Sequence, residues 1–231
     1  MTRKQWERRK RIRVITILGL ATILAVTVLS VFCMILGRLF GVAEKDVLKG
    51  ILPTKKVGQV EVTEMLLTPN PYSRPQTPLK KVKGVVVHYT ANPGTDAQAN
   101  RNYFDSLKDK HTTSASSHFV IGLDGTIVQC VPLDEIAYAS NERNEDTISI
   151  ECCHEDETGQ FTDKTYQSLI RLTAWLCGEY NLGRDDLLRH YDVSGKDCPR
   201  YFVSNEDKWE QFKDDVFTYI DNYDKNAEPD S

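Results

Sequence analysis

The sequence predicts an α/β fold: a central mixed β-sheet flanked by helices, preceded by one N-terminal transmembrane helix. Three observations carry this. A run of 24 residues without a charge, 14–37, lies near the start of the chain. Further on, β-branched runs such as GVVV (84–87) and TISI (147–150) are interleaved with longer helical patterns. The Asp124-Gly125 pair is a hairpin signal, so the sheet contains an antiparallel step as well as parallel ones.

Taken in order, residues 1–13 hold seven basic residues and one acid, and are expected to form a cytoplasmic basic segment. Residues 14–37 match the roughly 20 apolar residues that span the hydrocarbon of a bilayer. The basic flank stays inside, which places the remainder of the chain outside the cell membrane in a single-pass arrangement. A cleaved secretory signal is the rival reading, but its apolar core is about 7–15 residues and ends in small residues. Here the end is bulky, SVFCMILGRLF.

Residues 38–64 are expected to form a stalk or linker, 65–223 the folded domain, and 224–231 a flexible acidic tail. Four prolines within 67–79 make an extended lead-in, because proline fixes the backbone and removes donors. The strand GVVVHYT (84–90) comes next. A helix follows over 95–109 with Thr95 or Asp96 near its cap, then two strands within 116–132 around the hairpin, and a strand over 147–153. A helix starting at a Thr162 cap is expected to end at Gly183. Ser204 and Asp207 have the spacing of a capping box for a last helix.

Beyond residue 38 the chain carries 21 basic against 32 acidic residues, a balance of −11. Nucleic-acid binding is driven by neutralising phosphates, so this body is a poor nucleic-acid binder. Six cysteines, at 33, 130, 152, 153, 177 and 198, do not form a dense disulfide framework. Cys130, Cys152 and Cys177 lie in apolar patterns and read as buried thiols.

The stretch RHYDVSGKDCP (189–199) puts His190, Lys196 and Cys198 in one short segment. Catalytic zinc needs three protein ligands and one open position. His190 and Cys198 are two candidates. His88, directly after a buried strand, is a third delivered with little freedom. A hydrolase also needs a general base and a stabiliser for the developing oxyanion. Alternation in TISIECC sets Glu151 on the face opposite Ile148 and Ile150, near the strand's end. An acid inside an apolar strand is costly unless it is paired or functional. Lys196, two residues before Cys198, is tethered near any metal held there.

The segments GVVVHYTAN, SSHFVIGLDGTIVQCVP, TISIECC and RHYDVSGKDCPRYF resemble the N-acetylmuramoyl-L-alanine amidases of the second amidase family, which includes phage endolysins and peptidoglycan recognition proteins. The resemblance covers approximately residues 65–220. It implies a zinc enzyme with peptidoglycan as substrate, cutting the amide between N-acetylmuramoyl and L-alanine. It further implies His88, His190 and Cys198 as zinc ligands, Glu151 as the catalytic acid/base and Lys196 as the transition-state stabiliser. Some relatives place a tyrosine before the histidine of the "HF" strand. Here Ser117 holds that position, which fits the glutamate-using branch.

Weaker substrate-binding candidates are Asn92 in the loop after His88, His118, Tyr138 and Asn141. Arg74 is expected either to anchor the lead-in or to meet a substrate carboxylate. Two other functions compete: a non-catalytic peptidoglycan-binding module, and a zinc peptidase acting within the stem peptide.

Overall fold

The structure, a computed structural model, describes residues 54–223 together with Val28. No helix among the described residues is long and apolar enough to cross a membrane. The expected anchor 14–37 (Val28 apart), the basic segment 1–13 and the tail 224–231 lie outside the described residues.

Six strands form one mixed sheet in the order β1-β4-β3-β5-β2-β6. They are β1 (Thr63–Glu64), β2 (Gly84–Tyr89), β3 (Phe119–Ile121), β4 (Ile127–Gln129), β5 (Thr147–Cys152) and β6 (Leu187–Arg189). The β3–β4 pair is antiparallel and every other pairing is parallel. The expected mixed sheet is therefore present, with its antiparallel step at the hairpin. Gly125 takes a φ of +86° there, and a Cβ on it would lie 2.9 Å from the Lys164 carbonyl oxygen.

Within the described residues 54–223, five α-helices accompany the sheet: α1 (Ala97–Lys110), α2 (Asp163–Tyr180), α3 (His190–Ser194), α4 (Arg200–Ser204) and α5 (Glu206–Asp221). Strand alternation sends Val85, Val87, Ile148 and Ile150 into one hydrophobic cluster with Leu169, Leu172 and Leu176 of α2 and Phe212 and Val216 of α5. Val120 and Val128 point the other way and pack with Ala97 and Phe104 of α1. Helices on both faces thus bury the sheet, the arrangement that makes its central strands almost wholly apolar.

The caps show where local signals held. Asp96 caps α1 by accepting from the Ala99 amide at 2.7 Å, and the Thr162 hydroxyl caps α2 at the Thr165 amide. Gly183 does not end α2. Asn181 does, in the left-handed conformation at φ 54°, which asparagine tolerates better than most residues. The Ser204–Asp207 box is also absent: Ser204 ends α4, and Asn205 precedes α5 without a side-chain cap bond.

Residues 54–64, expected within the stalk, instead pack on the domain. Thr54 bonds Asn181 and the Leu182 carbonyl, Val57 is buried, and β1 pairs with β4. The chain crosses α2 at Gly178, where a Cβ would stand 2.9 Å from both the Lys55 oxygen and the Lys56 Cα. Arg74 anchors the proline-rich lead-in, with two 2.8 Å bonds to Glu135 and one of 2.9 Å to the Leu67 carbonyl.

Candidate metal centre

β2 is the strand from which the site is built, because its two neighbours deliver the other groups. His88 is the register partner of Glu151 on parallel β5. In-register neighbours on parallel strands point to the same face. On the other side Val87 pairs with Arg189 of β6, so His190, the next residue, enters α3 beside His88. The His88 and His190 rings lie 4.7 Å apart, edge to face.

Cys198 closes the group. The segment 195–199 folds back so that the Tyr191 amide donates to the Cys198 carbonyl at 2.9 Å. Its Sγ lies 3.8 Å from His88 Nδ1. One donor atom each from His88, His190 and Cys198 falls within 4.8 Å of the others, and all three residues are buried. The structure therefore brings together the three residues picked out from the sequence.

A scaffold beneath α3 holds this corner. Arg189 is buried and bonds Asp192 at 2.8 Å, Glu206 at 2.6 Å and the Phe202 carbonyl at 3.1 Å. Its guanidinium also lies over the Trp209 ring at 5.5 Å. The residue before His190 is thus tied to α3, α4 and α5 at once.

The donor set fits a zinc ion. Two imidazoles and a thiolate are ligands that zinc accepts. Both ring nitrogens of His190 are buried without a hydrogen-bond partner among the described residues, as is Glu151 Oε2. Buried polar atoms normally find partners, so such a cluster of orphans marks a place built for something else. A lone serine or water-exposed histidine would leave no such debt.

Charges act strongly at this corner. Burial pushes the Glu151 carboxyl up to about 8, and the Lys196 charge pulls the other way. As a residue Glu151 is half-buried, but Oε2 itself is shielded from solvent. Glu151 makes no ion pair among the described residues, which removes its ordinary structural explanation. Burial holds His88 well below the usual imidazole range, helped by His190 and Lys196. Burial, then Lys196, lowers His190. The Cys198 thiol is raised to about 12, first by burial and then by Glu151. Lys196 is exposed on the loop, yet its charge reaches all four groups.

The weaker candidates separate. Asn92 is exposed on the turn after β2, and Asn141 is exposed at the start of a 3-10 turn, 141–145. Tyr138 is half-buried and packs against the main hydrophobic cluster. His118 is not open to a ligand: it is 1% exposed and both ring nitrogens are engaged. Its Nδ1 accepts from the Ser149 amide at 3.0 Å, so its Nε2–H donates to the Glu135 carbonyl at 3.0 Å. Cys152 and Cys153 fall into different hydrophobic clusters on opposite sides of the sheet, so the adjacent pair makes no second metal site. Ser140, unmarked in the sequence, brings its hydroxyl to 3.1 Å from His88 Nε2. A serine before a helical turn reads as a cap, and nothing local distinguishes this one.

The comparisons with known proteins agree with this geometry. The model of the Amidase_2 family, described as N-acetylmuramoyl-L-alanine amidase, matches residues 78–201. N-acetylmuramoyl-L-alanine amidase CwlL of Bacillus licheniformis is 32% identical over 177 residues, covering 71% of this chain and 48% of that protein. N-acetylmuramoyl-L-alanine amidase BlyA of Bacillus subtilis (strain 168) is 33% identical over 175 residues, covering 67% and 46%. The chain spans about half the length of the curated relatives it matches. Among solved structures, the catalytic domain of XlyA superposes with a TM-score of 0.58 at 26% identity, covering 68% of this chain and 99% of that one. PlyL gives 0.59 at 25%, covering 68% and 97%. With more than half of its 231 residues inside the family match, the chain belongs to the N-acetylmuramoyl-L-alanine amidase family, Amidase_2.

Proposed function

We propose that this protein is a zinc-dependent N-acetylmuramoyl-L-alanine amidase that acts on peptidoglycan, cutting the amide between the lactyl group of muramic acid and the L-alanine of the stem peptide. The observation that carries the reading is the buried His88, His190 and Cys198 cluster with the unpartnered Glu151 carboxylate on the neighbouring strand. Family membership supplies the bond, and the cluster supplies the means of breaking it.

His88, His190 and Cys198 hold the zinc, which supplies Lewis acidity toward a water and a carbonyl oxygen. Glu151 Oε2 takes a proton from the attacking water and returns it to the leaving L-alanine nitrogen. A carboxyl raised by burial suits both halves of that task, since an acid–base group works best with its pKa near the operating pH. Lys196 places positive charge beside the oxygen on which negative charge develops. Its exposure lets it meet a substrate that fills the cleft.

The same reading includes a membrane anchor at 14–37 with the catalytic domain outside, supported by the uncharged run and its basic flank. Membrane fractionation followed by protease treatment of intact cells tests it: the domain should be cleaved from the outside and the first 13 residues protected. For the chemistry, muropeptides are incubated with the zinc-loaded protein and analysed by mass spectrometry. Free stem peptides beginning with L-alanine are expected. Cuts inside the stem peptide would make the enzyme a peptidase, and intact muropeptides would make it a binding module.

A further inference from the structure

We propose that Ser140 is a positioning residue that orients the His88 imidazole and takes its Nε2–H, leaving Nδ1 for the metal. The inference rests on the zinc reading above. His88 offers two ring nitrogens, and Nδ1 lies 3.8 Å from Cys198 Sγ. The opposite nitrogen, Nε2, lies 3.1 Å from Ser140 Oγ, and both residues are buried. A neutral imidazole carries one proton, and when Nδ1 is a ligand that proton sits on Nε2. Without an acceptor it would be a buried donor with no partner, which is unfavourable.

Ser140 is committed to this task. It stands at the head of the 3-10 turn 141–145, the position at which a serine ordinarily caps backbone amides. Its side chain makes no cap bond there. Asn144 serves the backbone instead: its Oδ1 accepts from the Ala139 amide at 3.0 Å and from the Ser140 amide at 2.6 Å. Asn141 then turns the chain in the left-handed region, at φ 52°. The corner fixes where the hydroxyl lies, and the hydroxyl fixes the ring. Outer partners of this type typically change metal affinity 10–100-fold when removed.

The test compares the full chain with its Ser140→Ala variant. Zinc affinity is read by competition with a chelator. The tautomer of His88 is read from side-chain 1H–15N correlations of the zinc form. The parent is expected to bind one zinc with a slowly exchanging Nε2–H on His88. Ser140→Ala is expected to lose roughly 10–100-fold in affinity and to expose that proton to exchange. Affinity within about threefold of the parent would overturn the role of Ser140 while leaving the zinc site intact. A parent that binds no zinc would overturn both readings. If Ser140→Ala does not fold, the pair Asn144→Ala and Asn144→Asp decides. Asp keeps the accepting oxygen, so weaker zinc binding in the first and recovery in the second support the proposal. Equal affinities in the two overturn it.

Discussion

His88 and Glu151 are register partners on adjacent parallel strands, so the first candidate ligand and the candidate base share one face of the sheet with no loop between them. Strand positions are held by ladder bonds on both sides. The separation between His88 and Glu151 is thus a property of the sheet rather than of a loop. Replacing Glu151 by Gln keeps the shape and removes the proton acceptor. Zinc content should stay near one per chain, while turnover on muropeptides should fall by about 10²–10⁴, the usual contribution of a positioned acid–base group. Full activity in this variant would transfer the role to another residue.

Cys198→Ser acts on the metal instead. The thiolate is the soft, charged member of the set, and serine cannot replace it in a buried site. Zinc and activity should disappear together, with a loss beyond the roughly 100-fold that outer partners cost. Metal analysis after dialysis, alongside the muropeptide assay, separates this from the Glu151 result.

Acid stability depends on His118. Burial holds its pKa at about 4 against an ordinary value of 6.5. Between those values the unfolded chain takes a proton that the folded chain refuses. Stability is therefore undiminished above pH 6.5 and falls as the pH drops toward 4, by about 3 kcal/mol for this one group. His118→Gln, which retains an amide donor and a carbonyl acceptor, should flatten that portion of the profile. Urea unfolding of parent and variant at pH 7 and pH 4.5 gives the comparison. Identical pH dependence in the two would remove His118 from the account.

Gly178 tests the packing of residues 54–57 on α2. Alanine in a helix interior is favoured over glycine by about 1 kcal/mol. Against that, its Cβ would press on the Lys55 oxygen and Lys56 Cα at 2.9 Å, and overpacking of this sort costs about 1–3 kcal/mol. Gly178→Ala should destabilise the full chain by ~1 kcal/mol on balance. In a chain lacking residues 1–57 the sign should reverse. Thermal melts of the four proteins settle it, and a stabilising effect in the full chain would show that residues 54–57 lift off easily.

Much of the domain was legible because its signals are local. Helix caps at Asp96 and Thr162 act within four residues, the Asp124-Gly125 turn within two, and the alternation of Ile148, Ser149, Ile150 and Glu151 within one strand. Chemistry was legible too, since imidazole, thiolate and carboxylate are rare enough in such places to be noticed. Strands of two or three residues, β1 and β6, were not. They are too short to show a period, and they exist because β4 and β2 offer free edges. The end of α2 at Asn181 rather than Gly183 uses asparagine's tolerance of the left-handed conformation, and the Thr54 amide, 127 residues away, donates to its side chain there.

By itself, then, the sequence determined which side chains could do the chemistry and the type of layer that would carry them, because residue type and short-range period are written along the chain. Only the tertiary structure decided that Glu151 neighbours His88, that His118 is sealed away from ligands, and that the hydroxyl of Ser140 lies on His88 instead of capping its own turn. Those outcomes depend on strand register and on packing between segments far apart in the chain, and a local pattern carries neither.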